Sequence, residues 1–228
     1  MLKKLIISAT LLGAPTAQAG VIIGSSELLN AAAVEQMELW IGKGPLTLTN
    51  LFTKTPDRST AKAFHQAVDD RGPGLAIANV SEDNGKTWKI VGGYSPLGWS
   101  SKISGEYFAP SDTFIFNLSN NEKRELTRRY LVSSRPEVGP FFYSDFSIAG
   151  NLSGGFTHSW AFGNLPTGRS LLDGSHSSGV IKVREFEVFG LEPYKDPEPV
   201  PEPASLALMG AGLLGLMLIR HRKPWKRH

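Results

Sequence analysis

Three histidines lie in the central part of the chain, and they are the first residues to consider for acid–base or metal chemistry. His65 follows Phe64 in a short apolar stretch and His158 stands in an aromatic one, so we expect structural, hydrogen-bonding roles for both. His176 follows Asp173 in a polar Gly/Ser-rich stretch, the kind of loop on which binding residues concentrate. The sequence contains neither His-Glu-x-x-His nor a calcium-loop pattern, so it predicts no metal site and no cofactor.

Hydrolysis would need an activated nucleophile or a pair of carboxylates. The Gly-x-Ser-x-Gly elbow is absent from the sequence, although Asp145, Asp173 and His176 could in principle support a serine. Glu185 and Glu187 stand two residues apart, so a strand would place them on one face. That spacing suits a glycosidase only loosely, and a solvated strand face is the preferred interpretation. The sequence therefore predicts no catalytic residue.

Large aromatic rings are the other chemical resource, because they can stack on sugar rings or pack in a core. The candidates are Trp88, Tyr94, Trp99, Tyr107 and Trp160. Trp99 lies in a Gly/Ser-rich turn and is the ring most expected to be exposed. We therefore place a candidate binding site on the loops at residues 95–101 and 171–179. Its contact residues would be Tyr94, Trp99, Asp173 and His176.

The first 19 residues have the organisation of a secretory signal peptide. Lys3 and Lys4 precede an apolar run at residues 5–12, and Ala17-Gln18-Ala19 forms a small-residue cleavage site. The mature chain is therefore expected to begin at Gly20 and to be exported.

The other end combines three features in a fixed order: the triplet Pro201-Glu202-Pro203, an uncharged apolar run at residues 204–219, and a basic cluster that includes Arg220, Arg222 and Lys223. Sixteen helical residues rise about 24 Å, slightly less than the ~30 Å hydrocarbon core, and the basic end should remain cytoplasmic. The sequence thus predicts a transmembrane helix at 204–219 and a basic cytoplasmic tail at 220–228.

This order resembles the PEP-CTERM sorting tail of Gram-negative bacteria. The resemblance implies transient anchoring in the inner membrane, removal of the tail by an exosortase, and release towards the cell surface or extracellular matrix.

The net charge of +3 is produced by these two ends. Two of the 24 Lys and Arg residues lie in the signal peptide and five follow residue 219, which leaves 17 against all 21 Asp and Glu residues. The exported part therefore carries about −4, and nothing in it favours nucleic-acid binding. Cysteine is absent, so disulfides and thiolate metal sites are excluded.

The remaining pattern alternates short apolar runs with turn residues. Helices are predicted at residues 27–41 and 61–68, the first capped by Ser25 or Ser26. A hairpin is predicted around Asn84-Gly85, between strands at 75–80 and 88–94. Further strands are expected at 46–52, 113–118, 141–149, 157–162 and 180–189, the last with a bulge near Arg184-Glu185. Residues 122–131 are expected to form a charged helix or turn, and 192–203 an extended linker.

Several segments resemble, in order, the TLDc domain: AFHQAVDDRGPGLAIANV (63–80), VGGYSPLGWSS (91–101), TFIFNLS (113–119), GPFFYSDFSIAG (139–150) and KVREFEVFGL (182–191). Pro140 and Phe142 depart from the family pattern in a region that is normally Gly-rich. The resemblance implies an α+β fold over residues 20–191, an antiparallel two-sheet β-sandwich with flanking helices. Family members are protective or protein-interacting modules without agreed catalytic residues. We therefore expect a binding module for exopolysaccharide or a surface protein, with an envelope hydrolase of exopolysaccharide as the alternative.

Overall fold

The computed structural model describes residues 20–102, 107–132, 135–166, 169–170 and 179–195. By its contacts the chain divides into two units, Met1–Tyr194 and Lys195–His228, and all the described helices and strands lie in the first. The helices are α1 (Ala31–Ile41) and α2 (Ala61–Val68). The strands are β1 (Val21–Ile23), β2 (Leu46–Thr53), β3 (Gly74–Ser81), β4 (Lys89–Ser95), β5 (Tyr107–Phe108), β6 (Phe114–Asn117), β7 (Glu122–Glu125), β8 (Leu131–Val132), β9 (Phe141–Phe142), β10 (Phe146–Ile148), β11 (Gly154–Thr157) and β12 (Gly179–Pro193).

The long strand β12 organises the sheet. Along one edge it pairs with β3, and along the other it pairs first with β11 and then with β2. The strand order is β7-β6-β4-β3-β12-β11-β10-β9, with β2 and β1 branching from β12. The pairings are antiparallel except for β1 with β2, and β5 and β8 form a separate two-stranded sheet. A mainly antiparallel β structure with two described helices confirms the predicted α+β class.

The two faces of β3 are both buried because its side chains alternate between two cores. Leu75 and Ile77 join the cluster that α1 covers, whereas Ala76 and Ala78 join the larger cluster beneath β9–β11 and α2. A central strand buried on both faces explains why β3 has a continuous apolar sequence instead of an alternating one. The pattern also explains why α1 and the strands β9–β11 lie on opposite sides of β3.

The glycine pair in β4 allows aromatic rings to approach the backbone closely. A Cβ atom at Gly93 would lie 2.5 Å from Cζ of Phe142, and one at Gly92 would lie 2.5 Å from Cζ of Phe116. Phe142 belongs to β9, so the far end of the sheet folds back over β4. Ten strands nevertheless form one hydrogen-bonded sheet among the described residues. The division into a two-sheet sandwich therefore stays a prediction.

The structure confirms some of the local predictions and corrects others. The hairpin and the bulge are confirmed: Asn84 and Gly85 both have positive φ, and the β12–β3 register shifts between Val183 and Glu185. Helix α1 begins later than predicted because Asn30 caps it by accepting from the Ala33 N–H at 2.9 Å. The expected helix or turn over residues 122–131 is wrong at its start, where β7 completes the sheet beside β6.

The expected strand at residues 157–162 is also wrong for most of its length, because β11 ends at Thr157. The predicted signal peptide, most of the predicted linker and the predicted membrane segment lie outside the described residues. Within the described residues, no helix is long and apolar enough to cross a membrane.

Candidate functional site

Two of the predicted contact residues are described, and the structure places Tyr94 in the core. Its side chain is 2 % exposed and packs against Phe114 at 5.2 Å between ring centroids. The Lys43 ammonium donates to its hydroxyl at 3.1 Å. The prediction that Tyr94 contacts a ligand from a loop is therefore corrected: β4 is a central strand, and its Tyr faces the layer that α1 covers.

Trp99 is half-buried, so the expectation of an exposed ring is also corrected. Its indole covers Gly74, where no side chain could fit, and lies 5.8 Å from the ring of Phe64 and 6.3 Å from that of Phe142. Trp99 lines a cavity of only about 50 Å³ together with Thr113 and other residues. The described part of the predicted loop site is thus a packing region.

The other predicted site residues lie outside the described part of the chain. These are Asp173 and His176 of the second loop, Pro201, Glu202 and Pro203 of the sorting triplet, and Arg220, Arg222 and Lys223 of the basic end. Among the described residues, no group of His, Asp and Glu has the arrangement of a metal site.

His65 has the structural surroundings expected of it. Nδ1 lies 2.7 Å from the Asp69 carboxylate, and Nε2 lies 3.1 and 3.0 Å from the carbonyls of Arg135 and Val138. His65 thereby ties α2 to the segment that leads into β9.

The carboxylates considered for hydrolysis are occupied by separate structural tasks. Glu187 is 2 % exposed and accepts from the Ser26 hydroxyl at 2.6 Å and the Glu27 N–H at 2.9 Å. Glu185 accepts from the Asn79 amide at 2.9 Å. The two carboxylates have different hydrogen-bond partners, and the pair does not form an open acid–base site.

Asp145 holds a backbone turn. It is 1 % exposed, and its carboxylate accepts from the N–H groups of Trp160, Ala161 and Phe162 at 2.8 to 3.1 Å. Burial raises the pKa of Asp145, while these three donors oppose the rise. Asp145 therefore positions Trp160 from behind and is not available as a catalytic base.

The segment that Asp145 holds has its aromatic residues turned outwards. Phe156, His158 and Trp160 are partly exposed, whereas the small residues between and after them, Thr157, Ser159 and Ala161, are buried. The usual alternation of a half-buried segment places apolar residues inside and polar ones outside. This inversion leaves three partly exposed rings in a row, and the ring of Trp160 also packs against the core, as that of Trp99 does.

The neighbouring strands complete an aromatic groove. Phe141, Ser147 and Phe156 are direct partners across β9, β10 and β11 and so lie on one face, with a small residue between two rings. The depression has a volume of about 600 Å³, within the range of small-molecule sites. We define the aromatic groove by its lining residues: Arg135, Phe141, Tyr143, Ser144, Ser147, Phe156, His158 and Trp160.

Tyr143 adopts an unfavourable backbone conformation at this groove. Its φ is 53°, in the left-handed region that a bulky residue rarely occupies, at a cost on the order of 1–3 kcal/mol. The ring lies 4.6 Å from that of Trp160 and 6.3 Å from that of Phe141. The surrounding structure maintains this strain, as is common at functional sites.

Two arginines border the aromatic groove. The Arg135 guanidinium carbon lies 4.1 Å from the centre of the Phe141 ring, and that of Arg128 lies 5.5 Å from the Trp160 ring. Both residues are exposed. The groove thus combines stacking surfaces with hydrogen-bond donors of positive charge.

Sequence reasoning considered Trp160 for stacking but assigned His158 a structural role and placed the site elsewhere. The signal was present in Phe-Thr-His-Ser-Trp-Ala, where rings alternate with small residues. The alternation shows that these rings share a face, but not that this face is exposed. Exposure follows only from the way β9–β11 pack over β4.

Comparison with known proteins gives two matches to family models. The PEP-CTERM protein-sorting motif matches residues 199–223, which indicates export and membrane anchoring through the tail and implies processing by an exosortase. No curated protein matches the chain. The TLDc domain matches residues 22–192, three quarters of the length. The chain therefore belongs to the TLDc domain family and carries a PEP-CTERM sorting motif.

Proposed function

We propose that this exported protein is a binding module that holds an extracellular glycan in the aromatic groove. The observation that carries the proposal is the set of partly exposed rings on and beside β9–β11 that line one depression, because a concave site lined by aromatic side chains is typical of a ligand site. Stacking on the apolar face of a sugar uses such rings directly.

Two features favour binding over hydrolysis. The residues that line the groove include no carboxylate. Asp145, the acid closest to it in sequence, is buried and bonded to backbone amides. Retaining and inverting glycosidases both need two carboxyl groups beside the scissile bond.

The targeting signals suit this role. We propose residues 1–19 as a signal peptide, 20–191 as the binding domain and 192–203 as the linker to a membrane segment at 204–219. After removal of the tail by an exosortase, the domain would reside at the cell surface or in the matrix. Exopolysaccharide is the polymer it would meet there, and a surface protein is the other partner class.

Retention on the exopolysaccharide of the producing bacterium tests the proposal. The full chain, purified in a non-ionic detergent without sugar headgroups, should be retained on the immobilised polymer. Trp160→Ala should weaken binding by at least ~1 kcal/mol, the order of one lost stacking contact, or about fivefold. Trp88→Ala is the matched control, because Trp88 is a half-buried ring outside the groove.

A second variant guards against misfolding. Ser147→Phe would fill the groove from an outward-facing position, so it should block binding without removing a core contact. Equal retention of all four proteins would contradict the proposal. Release of oligosaccharides from the polymer during the assay would favour the hydrolase instead.

A further inference from the structure

We infer that the ligand of the aromatic groove is an acidic polysaccharide built from uronic acids, whose carboxylates bind Arg128 and Arg135. This inference rests on the glycan-binding function proposed above. It specifies the charge and chemical class of the sugar.

The first argument is that both arginines are free to bind an anion. Within the described residues, neither guanidinium has an ion-pair partner. Arg184 provides the contrast: it also lies over a ring, Trp88, at 4.7 Å, but it pairs with the Glu185 carboxylate at 3.3 Å. The positive charge at the groove therefore remains available.

The second argument is local charge. Within residues 20–191, 16 Lys and Arg stand against 17 Asp and Glu, so the domain is nearly neutral at about −1, yet the groove contains Arg135 and is lined by no acid. The carboxylate of Asp145 lies beneath the surface, engaged by three backbone N–H groups. An anionic ligand thus meets a local excess of positive charge on a nearly neutral domain.

The third argument is geometry. A guanidinium stacked on a ring keeps its edge N–H donors directed outwards, and these donors match a carboxylate in a two-point contact. The adjacent ring offers a stacking surface to the same sugar. A uronic acid presents both an apolar ring face and a carboxylate, so one residue of the polymer could use both contacts.

The fourth argument is length. A second depression of about 330 Å³ is lined by Phe108, Leu126, Arg128 and Arg129, and it shares Arg128 with the edge of the aromatic groove. The Arg129 guanidinium carbon lies 3.9 Å from the centre of the half-exposed Phe108 ring. The pairing of arginine with an aromatic ring is therefore repeated along the surface, which suits several consecutive sugars of a chain.

The test compares oligogalacturonate with its methyl ester, which has the same sugar ring without the charge. Calorimetry with the full chain in sugar-free detergent should show that the acid binds at least about tenfold more tightly than the ester. Arg128→Gln and Arg135→Gln should each weaken binding of the acid about tenfold and leave any binding of the ester unchanged. Arg184→Gln is the matched control and should change neither.

The experiment distinguishes failure of the uronic-acid inference from failure of the proposed glycan binding. Equal affinity for acid and ester, with a loss in Trp160→Ala, would overturn the inference and leave glycan binding intact. An equal effect of Arg184→Gln would also overturn it, since attraction would then be unspecific. Failure of both oligosaccharides and of the host polymer to bind would overturn the inference together with the proposed function.

Discussion

Removing the Asp145 carboxylate should destabilise the domain and loosen the aromatic groove together. In Asp145→Ala the backbone N–H groups of Trp160, Ala161 and Phe162 lose the acceptor that they share. Asp145 is 1 % exposed, so water cannot replace it without opening the structure. The loss therefore acts on buried donors, which is the costly case.

The expected size follows from these contacts. An unsatisfied buried polar group costs about 1–3 kcal/mol, and here three backbone N–H groups lose the acceptor that they share. We expect a loss of about 3–5 kcal/mol out of a typical ~5–15 kcal/mol. For a domain of this size, that corresponds to a fall in Tm of roughly 6–20 °C.

Thermal unfolding followed by circular dichroism measures this loss. Asp112→Ala is the control, because the Asp112–Lys43 pair spans 3.4 Å with both side chains 52 % exposed and should contribute at most ~1 kcal/mol. Asp145→Asn keeps an acceptor and should cost less than Asp145→Ala. If Asp145→Ala and Asp112→Ala lowered Tm equally, the structural role of Asp145 would be refuted.

The pH dependence gives an independent check. Burial raises the pKa of Asp145 above its ordinary 3.8, so the folded chain holds this proton more tightly than the unfolded chain. The stability from this group is then fully present below about pH 4 and declines as the pH rises through the folded-state pKa. Relative to the Asp145→Asn variant, the native protein should therefore lose stability as the pH rises above about 4. The opposite trend would show that the amide donors outweigh burial.

Three further predictions concern the core and the ends of the chain. Phe116→Ala should cost ~3–5 kcal/mol in unfolding free energy, whereas Leu39→Ala, at a side chain 75 % exposed, should cost below about 0.5 kcal/mol; equal costs would mean that β6 is misplaced. Gly93→Ala should cost about 1–3 kcal/mol by the same unfolding assay, because its Cβ would meet an aromatic ring at 2.5 Å, and an unchanged Tm would exclude the close packing of β9 on β4. Intact-mass analysis of protein from the native host should show a chain that starts at Gly20 and lacks residues 204–228, whereas a full-length cytoplasmic chain would contradict the targeting interpretation.

The predictable parts of the fold are those that neighbouring residues determine. Asn84-Gly85 favours a hairpin in any context because both positions accept positive φ. The broken alternation around Arg184 likewise required a bulge, since strand side chains alternate with a period of two. Both features were predicted at the right place.

The unpredictable parts depend on contacts between distant segments. Trp99 is packed because Gly74 leaves space beneath its ring. Trp160 is turned outwards because Asp145, fifteen residues earlier, binds the backbone N–H of its turn. Neither relation leaves a trace in local periodicity, so the sequence alone could not predict how either ring packs.

Oxidative footprinting of the aromatic side chains tests the central claim most directly. Hydroxyl radicals modify accessible Trp and Tyr side chains, and mass spectrometry locates the modified residues with and without bound host exopolysaccharide. We predict that the polymer protects Trp160 and Tyr143 and leaves modification of Trp88 unchanged. Protection of Trp88 alone, or retention of the polymer without protection of Trp160 and Tyr143, would show that the aromatic groove is not the binding surface.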